Sequence, residues 1–289
     1  MVTTSQTPPF VISTRDIDVA GHRLHLNETG DLSAPAVLWL HGSGPGVTAL
    51  TNWQALITQL APRFHNLAPD ILGFADSSHP DPAPAGMGAY TALRGEVLLG
   101  LLDVIGVRRV HLVGNSMGAM IALRMVLDAP ERVDRLVLMG GAGAPGAPTP
   151  DLLRMIRFYE DPTEAAMREL LPRFVYDPAL LAGRLEEIAA TRLAMASRPG
   201  VQRSHLATFD PTHEPVRYTP EQLAGIVHET LVVHGREDRF LPVQAGYFFA
   251  EHIPRAQLHV LPNTGHWVQL EQPERFRAQV ELFLTEDIR

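Results

Sequence analysis

Val110-His111-Leu112-Val113-Gly114-Asn115-Ser116-Met117-Gly118-Ala119-Met120-Ile121-Ala122-Leu123 is the stretch on which the reading of this chain turns. Val110 to Gly114 is a short apolar run with the length of a buried strand, and Met117 to Leu127 has the small and apolar residues of a packed helix. Between them stands Gly114-Asn115-Ser116-Met117-Gly118, a G-x-S-x-G pattern in strand-to-helix context. A serine on so sharp a turn needs small neighbours, and the glycines at 114 and 118 supply them. The turn also sets Ser116 at a helix N-terminus, where the dipole favours developing negative charge. The plainer alternative is a capping serine in a glycine-rich turn, and the flanking strand and helix argue against it.

Outward from that stretch the chain alternates. Ala36 to Leu40, Leu67 to Asp70, Leu136 to Met139, Leu231 to His234 and Leu258 to Leu261 read as strands. Asn52 to Leu60, the stripe Leu93, Val97, Leu101 and Ile105, and Pro273 to Leu284 read as helices. Ile17 to Asn27 alternates apolar and polar residues around Ala20-Gly21, as an opening hairpin does. Strands alternating with helices imply a mostly parallel sheet covered on both faces. The alternation breaks after Gly140. From Pro145 to about Thr219 there are prolines and helical pieces (Asp151 to Phe158, Thr163 to Leu171, Leu180 to Ala196) and no convincing strand. The expected organisation is therefore a core of residues 1–144 and 220–289, with 145–219 inserted as a helical cap.

Composition limits the function. Hydrophobic residues make up 45% of the 289 and charged residues 19%, enough for a large core. The formal charge of −8 makes nucleic acid and anionic membrane poor partners. With no cysteine, disulfides, thiolate metal sites and a cysteine nucleophile are excluded together. Met1 to Phe10 shows no basic-then-apolar signal, and the apolar runs are too short to span a bilayer, so a cytoplasmic protein is expected. Assembly into a homo-oligomer is left open.

A serine needs a base, and in chains with this elbow the order is serine, acid, histidine. His266, in Asn263-Thr264-Gly265-His266-Trp267, follows the last strand and is the expected base. His234 ends the preceding strand, whereas His205, His213, His228 and His252 stand away from the strand C-termini where such sites gather. Asp238 is the expected acid, with its neighbour Glu237 as rival, since adjacent loop residues point apart. Its role is to orient the imidazole and stabilise the imidazolium. For the oxyanion hole, Met117 supplies one backbone N–H and Ser43 or Gly44 the other. His41 reads as a loop anchor.

These residues resemble the meta-cleavage product hydrolases, the C–C bond hydrolases of aromatic degradation, within the α/β-hydrolase superfamily. The resemblance spans nearly the whole chain. It includes His41 to Val47 (HGSGPGV), Asn52, Ala68 to Phe74 (APDILGF), Gly114 to Gly118, Leu138 to Gly140, Arg192, Arg198-Pro199-Gly200, His234 to Arg239 and Gly265-His266-Trp267. It implies an α/β-hydrolase fold with an eight-stranded sheet and a helical cap. It also implies a 2-hydroxy-6-oxohexa-2,4-dienoate substrate, cleaved between C5 and C6 without metal or organic cofactor. By the same resemblance Arg192 grips the substrate carboxylate, Asn52 and Asn115 bond the 2-hydroxy/2-oxo end, and Trp267 packs beside His266. Two departures stand out. Ala119 replaces a glycine common in the family, and Pro145 to Leu153, expected to line the distal pocket, is short and rich in alanine and proline. A carboxylesterase or lactonase with the same triad, and a slow-turnover small-molecule receptor on the same fold, stay open as alternatives. So does the choice between an acyl-enzyme and a serine-assisted attack of water through a gem-diol.

Overall fold

The computed structural model describes residues 10–286; the stretch read for a signal, 1–10, lies almost wholly outside them. Eight strands form one sheet: β1 (Ser13–Val19), β2 (His22–Thr29), β3 (Ala36–Leu40), β4 (His65–Pro69), β5 (Val110–Asn115), β6 (Val133–Met139), β7 (Thr230–Gly235) and β8 (Ala256–Leu261). Their order is β1-β2-β4-β3-β5-β6-β7-β8. β1 and β2 form the expected hairpin, and Ala20 and Gly21 both take positive φ at its turn. β2 pairs antiparallel with β4, and every pair from β4 to β8 is parallel.

Helices fill the crossovers: α1 (Ala49–Leu60), α2 (Gly86–Val104) and α3 (Met117–Asp128). Between β6 and β7 come α4 (Pro150–Ile156), α5 (Glu164–Leu170), α6 (Leu185–Ala196), α7 (Pro199–Thr208) and α8 (Pro220–Ala224), with no strand among them. The chain closes with α9 (Gln244–His252), α10 (Val268–Glu271) and α11 (Pro273–Thr285).

Strand periodicity splits the core. Leu38 and Leu40 point into a cluster with α2 and α3, while Val37 and Trp39 point into one with α1 and α11. A third cluster lies in the segment between β6 and β7, built from Met155, Phe158, Met167, Leu170, Phe174 and Ala189. It also takes in Phe240 and Trp267 from loops of the sheet, so the two bodies share packing.

The chain runs from β3 outward to β4, then crosses back to lay β5 on the other side of β3. Loops leaving β3 and β5 therefore part in opposite directions, and a crevice opens at that switch point. The glycine-rich stretch after Leu40 and the Ser116 turn are those two loops.

Candidate active site

Ser116 sits at φ 56°, ψ −117°, in the left-handed half of backbone space that a side chain rarely enters. The turn closes so tightly that a Cβ on Gly114 would lie 2.5 Å from the Gly118 carbonyl oxygen, and one on Gly118 would lie 2.1 Å from that of Leu40. Ser116 N donates to the Met139 carbonyl at 3.0 Å, which fixes the elbow to β6. Met117 follows as the first residue of α3, where backbone N–H groups have no partner within the helix.

His266 Nδ1 lies 2.7 Å from Asp238 Oδ2, and both side chains are buried. The other carboxylate oxygen, Oδ1, accepts from the backbone N–H groups of Phe240 at 2.8 Å and Leu241 at 3.0 Å. His234 Nε2 approaches Oδ2 at 3.4 Å while also lying 2.7 Å from the Leu241 carbonyl, to which it donates. Burial by itself raises the Asp238 carboxyl; the His266 charge and the hydrogen bonds of His234 and His266 outweigh it and hold the group well below the usual carboxylate range. An ionised Asp238 accepts a hydrogen bond from Nδ1–H, which leaves His266 Nε2 with a free lone pair. Glu237 turns the other way, taking the backbone N–H of Thr264 on Oε2 and the Arg236 guanidinium on Oε1.

Ser43, Gly44, Asn52, Asn115, Ser116, Arg192, His266 and Trp267 all line one pocket, which Asp238 meets through His266 and Met117 adjoins through Ser116. Among the described residues Ser116 makes no direct hydrogen bond to His266; both open onto the same space, an arrangement that tightens in many enzymes only when substrate binds. The loop after β3 is anchored by His41, whose Nδ1 donates to the Gly42 carbonyl at 2.7 Å and whose Nε2 accepts from Ile71 N at 3.0 Å. Burial keeps that ring neutral, with its pKa pulled down to about 4.

Arg192 comes from α6 and is buried. Its Nη1 donates to the Pro45 carbonyl at 3.2 Å, and its Cζ lies 5.2 Å from the Trp267 ring centre. Among the described residues no carboxylate stands within salt-bridge distance of it. Burial draws its pKa down to about 10, so it stays charged at neutral pH. The guanidinium fits because residue 44 has no side chain: a Cβ on Gly44 would stand 3.2 Å from Nη1. Asn52 brings a buried Nδ2 without a hydrogen-bond partner to the same pocket. Asn115 donates from Nδ2 to the Met139 carbonyl at 3.2 Å.

Sequence reasoning missed the aromatic wall. Phe174, from the segment between β6 and β7, stacks on Phe240 at 3.9 Å and on Trp267 at 4.4 Å between ring centres. Leu152, Met155 and Val47 complete the apolar lining. Phe240 stands two residues beyond Asp238, close enough to have been named; Phe174 lies in no motif, and only the packing finds it. Gly140 ends the Leu138-Met139-Gly140 stretch and directly follows β6. Its φ of 50° and a Cβ that would come within 3.3 Å of both Asp238 and His266 make it the floor beneath that pair.

A family model described as alpha/beta hydrolase fold matches residues 35–273. The chain is 38% identical over 276 residues to a 2-hydroxymuconate semialdehyde hydrolase of Pseudomonas sp. (strain CF600), covering 94% of each. It is 35% identical over 275 residues to a 2-hydroxy-6-oxo-2,4-heptadienoate hydrolase of Pseudomonas putida, covering 94% of this chain and 96% of that one. Among solved structures, the 2-hydroxy-6-oxo-6-phenylhexa-2,4-dienoate hydrolase from Rhodococcus sp. strain RHA1 superposes with a TM-score of 0.92 at 36% identity, over 96% of this chain and 100% of that one.

Proposed function

The chain belongs to the α/β-hydrolase fold family and, within it, to the meta-cleavage product hydrolases, and from that premise we propose that Ser116, His266 and Asp238 hydrolyse the C5–C6 bond of a 2-hydroxy-6-oxohexa-2,4-dienoate. The observation that carries this reading is Arg192: a buried, charged guanidinium with no carboxylate partner among the described residues, in the pocket that holds Ser116 and His266. A desolvated cation is costly unless paired. The substrate carboxylate is the missing partner, and the planar fork suits it.

With the carboxylate on Arg192, the Nδ2 group of Asn52 donates to the 2-oxo end, and Asn115 lies beside it. His266 Nε2 moves the 2-hydroxy proton to C5, giving the 2,6-dioxo form. Ser116 Oγ, losing its proton to His266, then adds to the C6 carbonyl, whose oxygen turns toward the N–H groups of Met117 and of Ser43 or Gly44. The C5–C6 bond breaks with its electron pair delocalised into the 2-oxo acid. A proton delivered to the 2-oxygen of the resulting dienolate gives 2-hydroxypenta-2,4-dienoate, and water releases the acyl group as a carboxylic acid. Activation of water by Ser116 and His266, through a gem-diol, is the alternative order of events at the same groups.

The distal wall, Val47, Leu152, Met155, Phe174 and Phe240, carries no charge. A second carboxylate at C6 would be desolvated there without a cation, so the C6 substituent is hydrogen or an uncharged alkyl or aryl group. The enzyme works in the cytoplasm on this reading; among the described residues no helix is long and apolar enough to cross a membrane.

The test is Arg192→Ala assayed on a panel of ring-opened catechol products and on a small neutral ester. Loss of a partner from a desolvated charge pair costs about 2–5 kcal/mol. The expected outcome is a fall in kcat/KM for the dienoate of roughly a hundredfold or more, with ester hydrolysis within about threefold of wild type. Equal losses on both substrates would mean a collapsed pocket, and no loss on either would remove the basis for C–C cleavage.

A further inference from the structure

Glu271 closes α10, five residues beyond His266, and its carboxylate is half-buried. Among the described residues no arginine, lysine or histidine pairs with it. It is satisfied instead by backbone. Oε2 accepts from Gly265 N at 2.6 Å, and Oε1 accepts from Tyr176 N at 2.6 Å, with Asp177 N at 3.4 Å. One oxygen thus holds the loop that carries His266, and the other holds the segment that carries Phe174, with Tyr176 95 residues away in sequence.

The two segments are also in direct backbone contact. His266 N and Trp267 N both donate to the Phe174 carbonyl, at 2.8 and 3.1 Å. A Cβ on Gly265 would stand 2.8 Å from that same carbonyl oxygen and 2.9 Å from Tyr176 N. Burial raises the Glu271 carboxyl above its ordinary range despite these donors, so the group carries a desolvation cost that an alanine would not.

We propose that Glu271 is a positioning residue that staples the His266 loop to the 174–177 segment, so that the base and the Phe174 wall of the pocket are set as one unit. A carboxylate does this because both oxygens accept. A glutamine presents one acceptor and one donor, and the donor would face an N–H on one side of the joint. Phe174 is stacked against Trp267 and Phe240 and tilted over the His266 ring at 5.9 Å, so slack in the joint reaches the imidazole and the distal pocket together. The catalytic part of this inference rests on His266 acting as the base.

The test compares Glu271→Gln and Glu271→Ala with wild type by amide hydrogen exchange and steady-state kinetics, at a temperature where all three are folded by circular dichroism. The expected result is faster exchange at Gly265 and Tyr176 together in Glu271→Ala, and at no fewer than one of them in Glu271→Gln. kcat for the dienoate should fall roughly 10- to 100-fold, the range that a displacement on the order of 1 Å produces. The neutral ester should also lose kcat, because the base itself is displaced. A variant that loses melting temperature while kcat stays within about twofold on both substrates overturns the proposal, since Glu271 would then only hold the fold. In Glu271→Ala, which removes both acceptors, exchange rising at one of the two amides and not the other overturns the staple. His266→Ala, run in parallel, separates this from the triad reading: if it stays active the triad fails and the catalytic claim for Glu271 fails with it, whereas an inactive His266→Ala with an unaffected Glu271→Gln overturns the staple alone.

Discussion

Asp238 and Glu237 are one residue apart, both acidic, and end in different chemistry because a loop turns successive side chains opposite ways. Asp238 faces His266 Nδ1 at 2.7 Å, while Glu237 spends its carboxylate on Thr264 N and Arg236. Asp238→Asn keeps the shape but allows the amide to donate toward Nδ1, which favours the wrong tautomer of His266. We expect kcat to fall roughly a thousandfold or more, in line with the same change in other serine triads. Glu237→Gln keeps an acceptor for Thr264 N and should stay within about fivefold, a loss smaller than the ~1 kcal/mol of one surface contact. Steady-state kinetics on a dienoate and on a neutral ester checks both. A larger loss for Glu237→Gln would reverse the assignment. The choice between these two acids was legible in the sequence only as a preference, because the direction each side chain points depends on the loop geometry after β7.

At the scale of elements, the strand-turn-helix β5-Ser116-α3 tolerates an unusual residue because a neighbouring element makes room for it. Ala119, in place of the glycine common in the family, has its Cβ directed at Gly141 after β6; a Cβ at 141 would stand 3.2 Å from that of Ala119 and 3.2 Å from Phe249. Gly141→Ala should therefore destabilise by about 1–3 kcal/mol through overpacking. Adding Ala119→Gly should return part of that loss, with Phe249 accounting for the remainder, so the double-mutant cycle is non-additive. Urea unfolding of the four proteins measures it, and additive effects would show that the two elements do not share this space. The same element scale shows what the sequence could carry. β3 is apolar throughout, and β5, β6 and β7 each carry a short apolar run that marks a buried strand. α11 was marked by proline at its start. α7 was not anticipated: Pro199–Thr208 mixes Gln202, Arg203 and His205 with few apolar residues, and its helix exists through what it packs on. Its Thr208 accepts from buried Arg94 and its Ser204 lies 3.1 Å from His79 Nδ1, partners more than 100 residues distant. α9 went unread for a related reason, since its Gly246 and Phe249 gain their meaning only against His234 and Gly141. Ser116 and His266 stand in local motifs that can be read along the chain. Phe174 and Glu271 were not, because their roles exist only where the segment between β6 and β7 meets the His266 loop.

Across the whole molecule, three histidines are buried neutral in three different places: His41 in the loop after β3, His111 on β5 and His205 on α7. Burial pulls each pKa from 6.5 to about 4. The sign follows from proton counts. Between those values the unfolded chain binds a proton at each site and the folded chain does not, so stability is full above about 6.5 and declines as pH falls toward 4. Each site contributes up to about 1.4 kcal/mol per pH unit. Asp70 and Glu271, whose carboxyls burial raises, act in the opposite sense just above the ordinary carboxylate range, so the histidine slope is cleanest from pH 6.5 down to roughly 5.5. His111 is the site where the effect can be isolated. Its Nδ1 is buried without a hydrogen-bond partner, and its ring meets Phe64 edge-on at 6.4 Å. The charged groups around it are Asp134, which favours its protonation, and Arg109 and Arg135, which oppose it. None of these needs the imidazole as a partner, so His111→Phe removes a titrating group at little cost in hydrogen bonding and adds apolar contact with Phe64. We expect His111→Phe to be as stable as wild type or more so at pH 7. We also expect it to lose stability less steeply on acidification, the difference in the slope of unfolding free energy against pH growing from about half a proton at pH 6.5 toward one proton at pH 5.5. Urea denaturation at half-unit steps from pH 7.5 to 5.5 reads that slope directly. An unchanged slope would mean that His111 is already protonated in the folded protein, and that its burial beside Phe64 does not exclude the charge.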